Sequence, residues 1–383
     1  MTMGAHGLGG LHAGIGHLVH THIPVSLASS AGVTASIGNL AYRLTRLYAT
    51  SYLPAYLAYL TQHEYFGHGA RYREFGYFDN DYDINLPPPL GDGGGWARRG
   101  EPAPSDRIVT THEELAIVTG GVEANTLLAG ELLFRWFRSG RIPNHEALLY
   151  LRASSDLPFY IAATERDLTG PSDQGDVARY IDLINDHAGR SSAQEFVLTA
   201  RILQRQAAIE LLNPLRYVCI WAIGYGHIAK GRDFATLPSL RLGRLRCLLI
   251  PRLALTPFGS EYCLDSLVGW DSKALRVTMG VGDRKFHRFW DVALRSAGFL
   301  AIGGVQLDGD LRLWKQPALE LGGREVREGP SGLGGSGVLT VRLPLGEEMP
   351  SSAMVMQVGY KATGYTPGEA LAGGPIYRFG LSF

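Results

Sequence analysis

The chain has 383 residues, 45% of them hydrophobic, which is enough for two or three domains with ordinary cores and excludes a disordered linker. Its 36 basic and 36 acidic residues cancel at a pI near 7.2, so there is no global field to draw nucleic acid. Charged residues are only 19% while glycine (49) and tyrosine (18) run high, a skew shared by loop-rich soluble proteins and Gly- and Tyr-rich membrane barrels.

Residues 1–38 are rich in His and Gly and lack the basic cluster and apolar core of a secretory signal. His6, His12, His17, His20 and His22 lie there, and the last three are close enough in sequence to share an ion; in so glycine-rich a context the expectation is a flexible, weak chelate at most. The small-residue run 27-LASSAG-32 bears a faint likeness to a cleavage region. From 39 to 235 the spacing of apolar residues predicts helices at roughly 39–68, 112–138, 145–165, 175–187 and 193–230. Sixteen uncharged residues separate Arg46 from His63, short of the ~18–20 that a spanning helix needs, so no transmembrane helix is expected. The Pro/Gly-rich stretch 86–108 predicts a loop, with a lid as its functional reading. In 173-DQGDVARYIDLINDH-187, Asp176, Asp182 and Asp186 surround Val177, Ile181 and Ile184 as an amphipathic helix with an aspartate cap at its start.

From 236 to 383 the period changes to two. Alternation in 274–282, 304–314, 338–345, 354–362 and 375–383 predicts antiparallel strands of about nine to eleven residues, seven to nine in all, broken by Gly, Pro and Asp. That is the length of a tilted strand crossing a bilayer. The last strand, 375-PIYRFGLSF-383, ends in Phe383 and resembles the terminal strand of Gram-negative outer-membrane β-barrel proteins; the resemblance implies a barrel or sheet attached to outer-membrane lipid. The fold expected is α+β, a helical metallohydrolase-like region followed by an antiparallel barrel or sheet. Cys219, Cys247 and Cys263 form no CxxC pair; Cys247 and Cys263 could pair in an oxidising compartment, but inert buried thiols are the expectation.

The chemistry concentrates in 61-TQHEYFGHGARYREFG-76. Two imidazoles that share a metal must lie on one side of a helix; residues four apart project about 40° apart, residues five apart about 140°. His63 and His68 are five apart, so a regular helix would separate them. Gly67 permits a one-residue bulge that brings them together, a feature that often marks functional sites. The hexapeptide 63-HEYFGH-68 resembles the HExxGH motif of the dipeptidyl peptidase III family of zinc peptidases, whose helix carries such an insertion. The resemblance covers six residues and implies His63 and His68 as zinc ligands, Glu64 as general base, and a Glu on a later helix as third ligand. In 112-HEELAIVTGGVEANTLLAGE-131 the favoured candidate is Glu123, because the small residues of GGVEAN let two helices approach; Glu113, Glu114 and Glu131 stay open.

Two His and one Glu would leave a fourth position for water, and a carboxylate outside the ligand set can take that water's proton as it attacks a carbonyl. The developing oxyanion would want a donor, for which His145, Tyr160 and Tyr180 are available. Arg71 and Arg73 suit either a substrate carboxylate or an ion pair. Usable GxxxxGK[ST], GxGxxG and GxSxG motifs are absent, so neither nucleotide chemistry nor serine hydrolysis is expected. The expected function is a zinc-dependent hydrolase, a peptidase acting on peptide or protein, at the outer membrane. The alternatives are a non-enzymatic outer-membrane β-barrel with a helical plug, and a zinc-dependent hydrolase of lipid or acyl groups.

Overall fold

The structure, a computed structural model, describes all residues except 27–32, 103–104, 166–174, 192–196, 271–272, 285–286, 324–326, 329–331, 345–352 and 383. The run 27–32 and the terminal aromatic Phe383, both used in the sequence reading, thus lie outside the described residues. The helices are α1 (Thr2–His22), α2 (Val33–Arg46), α3 (Leu53–His63), α4 (Gly69–Glu74), α5 (Thr111–Ser139), α6 (Asn144–Ala163), α7 (Asp176–Ser191), α8 (Ala200–Ala207) and α9 (Pro214–Trp221). Wider π-helical turns at Leu47–Tyr52, Glu64–His68 and Ala222–Ala229 join or extend them, and a tight 3-10 turn covers Ala208–Leu212.

Helix α5 is the axis of the molecule. Thr110 and Glu113 cap its start reciprocally and Gly140, with φ of 69°, ends it in the left-handed conformation. Its 29 residues span about 43 Å. Leu128, Leu132, Trp136 and Phe137 are buried against α6, α9 and the sheet, and Leu115, Val118 and Val122 against α7 and α8.

Within residues 1–38, Thr2–His22 depart from the expected flexible segment. Thr2–His22 form a continuous helix, despite six glycines that each weaken a helix by about 1 kcal/mol relative to Ala. Packing accounts for it: a Cβ at Gly4 would fall 2.3 Å from the Phe66 ring, and one at Gly16 would fall 1.8 Å from His145 Nε2. The glycines let α1 lie directly on the helical core. His20 contacts Asp233 at 2.8 Å and His6 contacts Glu131 at 3.1 Å, so these histidines serve α1 docking.

Two small antiparallel pairs precede the main sheet: the hairpin of β1 (Asp81–Ile84) with β2 (Gly95–Arg98), and the long-range pair of β3 (Arg141–Pro143) with β4 (Phe234–Thr236). The stretch 86–108, expected to be a loop throughout, therefore contains a strand. The C-terminal half carries β5 (Leu240–Leu242), β6 (Leu245–Thr256), β7 (Gly259–Trp270), β8 (Lys273–Arg284), β9 (His287–Ala297), β10 (Leu300–Ile302), β11 (Val305–Gln316), β12 (Glu320–Leu321), β13 (Arg327–Glu328), β14 (Gly332–Pro344), β15 (Ala353–Lys361) and β16 (Gly374–Ser382). Antiparallel pairing runs in the order β16-β15-β14-β11-β9-β8-β7-β6-β5, with β10 folded back on β11. The first and last strands do not pair, so the expected barrel is an open sheet.

The two faces of the sheet differ in polarity. Its inner face, toward α1 and α5, carries charge: Asp265 accepts from Arg252, Arg276 and Thr278, Arg295 meets Glu131, and Arg342 meets Asp308. Its outer face is apolar and exposed, with Met279 and Val281, Val292 and Leu294, Leu311 and Leu313, Met356 and Val358, and Tyr377 and Phe379 among the residues there. Among the described side chains of the long strands from β7 to β16, outward charges lie near strand ends, at Lys273, Arg288 and Lys315.

The loop between β15 and β16 returns to the helices. Gly368 N donates to Glu123, Arg71 Nη1 donates to Glu369 O at 2.9 Å, and Lys361 Nζ and the Leu371 amide bind nearby.

Candidate metal centre

His63 ends α3 and His68 ends the π-helical turn Glu64–His68. The wider turn absorbs the extra residue of the five-residue spacing, and the two rings come together with Nε2 atoms 3.2 Å apart. Gly67 is needed here for closeness: a Cβ would lie 2.7 Å from both Gly120 O and Gly121 Cα on α5. The GGVEAN stretch does let two helices approach, but it is the glycines that matter. Gly121 lies under the His63 ring, where a Cβ would be 2.3 Å from Nε2.

Both imidazoles are held from behind. His63 Nδ1 lies 2.9 Å from Asp156 Oδ2, and that carboxylate is itself fixed by Tyr59 Oη at 2.6 Å and Asn125 Nδ2 at 2.8 Å. His68 Nδ1 lies 2.8 Å from the Ile117 carbonyl, which can only accept. With a proton on each Nδ1, both Nε2 atoms present lone pairs toward the same point.

A third donor meets them there. Asp176 Oδ2, at the first turn of α7, is 3.3 Å from His63 Nε2 and 3.2 Å from His68 Nε2. Three acceptors converge with no donor between them among the described residues, an arrangement that repels itself unless a proton or a metal cation occupies the centre. Burial presses both imidazoles toward neutrality, yet Asp156 and Asp176 outweigh it for His63, and Asp176 does so for His68, raising the affinity of both for a proton. For Asp176 burial works the other way, and the two histidines outweigh it to hold the carboxyl well below its usual range.

Glu64 is buried beside them, within 4.8 Å of both imidazoles. Burial raises its carboxyl pKa, with His63 and His68 pulling against the shift. The buried His63, Glu64 and His68 can therefore hold a metal ion, and Asp176 reaches the same point more closely than the 4.8 Å that bounds Glu64. Gly95 of β2 would place a Cβ 3.3 Å from Glu64 Cγ, so the hairpin lies against this side of the site.

Glu123, expected as the third ligand, is elsewhere. Arg71 Nη2 donates to both of its oxygens, at 2.8 and 2.9 Å, and Gly368 N donates to one of them. Glu113 caps α5, Glu114 pairs with Arg99, and Glu131 pairs with Arg295 and His6. Arg71 is consumed by Glu123 and Glu74, while Arg73 reaches Tyr82 and the Tyr65 carbonyl, so both have partners within the chain.

Of the three oxyanion donors considered, Tyr160 alone is at the site. Its ring stacks on His63 with centroids 5.6 Å apart and planes 14° apart. Burial, then Asp176 and Asp156, raise its phenol pKa far above the ordinary value, so the hydroxyl remains a donor at neutral pH. Tyr180 donates to the Thr256 carbonyl, and His145 packs on Gly16 of α1.

Asp156, Asn125, Tyr59 and Asp176 were absent from the expected site. The legible signal for Asp176 was an acid at the start of a helix whose apolar stripe must face the core. That stripe includes Val177, Tyr180, Ile181 and Ile184, all buried, and it sets Asp176 against α5 and the histidines.

Two outcomes follow for metal binding. Gly121→Ala should lower metal affinity at least tenfold, because the new methyl occupies the His63 ring position. Helix content should stay level, since alanine favours α5, and metal titration with circular dichroism checks both. Affinity should also weaken as pH falls, beginning above the ordinary histidine value of 6.5, because protons on His63 and His68, favoured there by the neighbouring carboxylates, compete with the ion. Titration across pH reads this.

No protein-family model, curated protein or solved structure matches the chain.

Proposed function

We propose that this protein is a zinc-dependent hydrolase of peptide bonds, held at an outer membrane by its C-terminal sheet. The observation that carries the reading is the triangle of His63 Nε2, His68 Nε2 and Asp176 Oδ2, with edges of 3.2 to 3.3 Å. A tetrahedral zinc with bonds of about 2.0–2.1 Å spaces its donors by roughly 3.3–3.4 Å, so the triangle fits with a fourth position left over. Bound zinc would supply Lewis acidity, bringing water within reach of ionisation near neutral pH and polarising a carbonyl.

The chain's own groups divide the remaining work. Glu64, with its pKa raised by burial, accepts a proton from the attacking water and can return it to the leaving amine. Tyr160, kept protonated, donates to the oxygen on which negative charge develops. Asp156 orients His63 and fixes its tautomer. For a peptide substrate, β2 offers a second edge to which no strand pairs among the described residues, next to Glu64, where an extended main chain can align.

Support for the membrane part is the polarity of the sheet. Eight strands of nine to thirteen residues turn a mainly apolar face outward, with its charges near strand ends, and a charged face inward, the distribution that lipid outside and polar contents inside require.

The test is elemental analysis of protein purified without chelator or added metal, followed by assays of peptide and acyl-ester cleavage. Near-stoichiometric zinc with chelator-sensitive peptide cleavage is expected. Absence of transition metal and of cleavage would instead favour a non-enzymatic sheet with helical contents, and ester cleavage alone would move the substrate to lipid or acyl groups.

A further inference from the structure

An open sheet raises a physical difficulty for a protein that sits in lipid. Backbone groups along an unpaired edge cannot face hydrocarbon, so something must cover the outer edges of β6 and β16. Helical segments lie beside both strands. Helix α1 packs against the inner side of β16, where Met3 Cε would be 2.8 Å from a Cβ at Gly380. The 3-10 turn Ala208–Leu212 packs along β6, and Glu210 Oε1 accepts from the Leu253 amide at 2.7 Å.

Between these two segments the helices form an unbroken chain of contacts. The turn Leu47–Tyr52 touches α1 and α2, α2 touches the turn Ala222–Ala229, and that turn continues from α9 and the segment beside β6. The open side of the sheet is therefore walled by helices.

We propose that this helical wall, chiefly α2 and α9 with its π-helical extension, faces acyl chains and completes a lipid-facing girdle begun by the sheet. The inference rests on the reading that the sheet's outer face lies in lipid.

The pattern of charge supports it. The large exposed side chains on the wall are apolar at helical spacing, Ile37, Leu40 and Leu44 on α2 and Tyr217, Ile220 and Trp221 on α9, with Ser36 and Thr45 as exposed hydroxyls of α2. The cations of the same helices turn away. Arg43 donates to the carbonyls of Ile228 and Ala229, Arg46 pairs with Asp233, and Arg216 pairs with Glu210. A soluble amphipathic helix places its charges outward and its leucines inward. Here the arrangement is reversed, as it is on the sheet, so both halves of the perimeter match one uncharged medium.

The experiment labels single cysteines with an environment-sensitive fluorophore in full-length protein reconstituted into phosphatidylcholine vesicles. Ile220→Cys and Leu40→Cys report on the wall, and Leu311→Cys on the sheet. All are made with Cys247→Ser, since Cys219 and Cys263 are buried. Quenching by brominated acyl chains is compared with quenching by aqueous iodide, and metal content equal to the parent's verifies folding. Tyr217→Cys replaces any variant that fails this check.

Bromolipid quenching of both wall probes to within about twofold of the Leu311 probe is the expected result. If the Leu311 probe is quenched by bromolipid but the wall probes by iodide, the wall faces water and the proposal fails while the sheet reading stands. Wall probes reached by neither quencher are covered by protein, such as a second copy of this chain, and that too overturns it. Iodide quenching at Leu311 would remove the membrane reading itself, and the proposal with it.

Discussion

Replacing Glu64 by glutamine should leave bound metal near stoichiometric while hydrolysis falls about 10²-fold or more. The amide keeps the volume and position of the carboxyl but cannot take a proton from water, and losing a positioned base typically costs that much. His63→Ala, His68→Ala and Asp176→Ala should behave differently and lose the metal, because each removes one of three atoms spaced 3.2 to 3.3 Å apart. Glu123→Ala distinguishes Glu123 from Asp176 as the third ligand. It should retain metal, yet destabilise the fold by about 3–5 kcal/mol, because it leaves Arg71 buried without its bidentate partner. Metal content beside thermal unfolding distinguishes these outcomes. Retained metal in Asp176→Ala, together with lost metal in Glu123→Ala, would reverse the assignment.

Leu311→Arg should cost about 2–4 kcal/mol of folding stability in vesicles, the scale for a cation on the lipid face near a bilayer midplane. Leu311 is 57% exposed in the isolated chain. If that face met water, the same substitution would fall within roughly 0.5 kcal/mol of neutral, as surface changes away from special features do. Urea unfolding from vesicles reads the difference. A small effect would overturn the membrane reading of the sheet and leave the metal reading as it stands.

The parts of this protein written in local sequence were readable, and those assembled from distant segments were not. His63, Glu64 and His68 fall within six residues, so spacing and one glycine foretold the wide turn that joins them. Asp176 comes from a helix more than a hundred residues further on, and its own surroundings read equally well as a cap. Alternation located β8, β11, β14, β15 and β16. It failed for β6, where Leu253 and Leu255 pack on helices from the outward side and blur the two faces into one apolar run. It failed for β7 as well, since Ser260 and Ser266 face outward while Leu267 is buried inward. Helix α1 was missed because glycine lowers intrinsic helicity, whereas what decides here is how near its backbone comes to Phe66 and His145.

The loop between β15 and β16 ties the sheet to the metal helix through Gly368, Glu369 and Leu371. Because Arg71 and Glu74 belong to the segment that also carries His68, an ion held at the histidines would be thermodynamically linked to the seating of the last two strands. A ligand that binds only the assembled state stabilises it by RT ln(1 + [L]/Kd), about 2.7 kcal/mol at a hundredfold excess over Kd. Metal supply would thus act as an assembly signal for the C-terminal half, and starvation for metal would loosen the strands as well as silence the site.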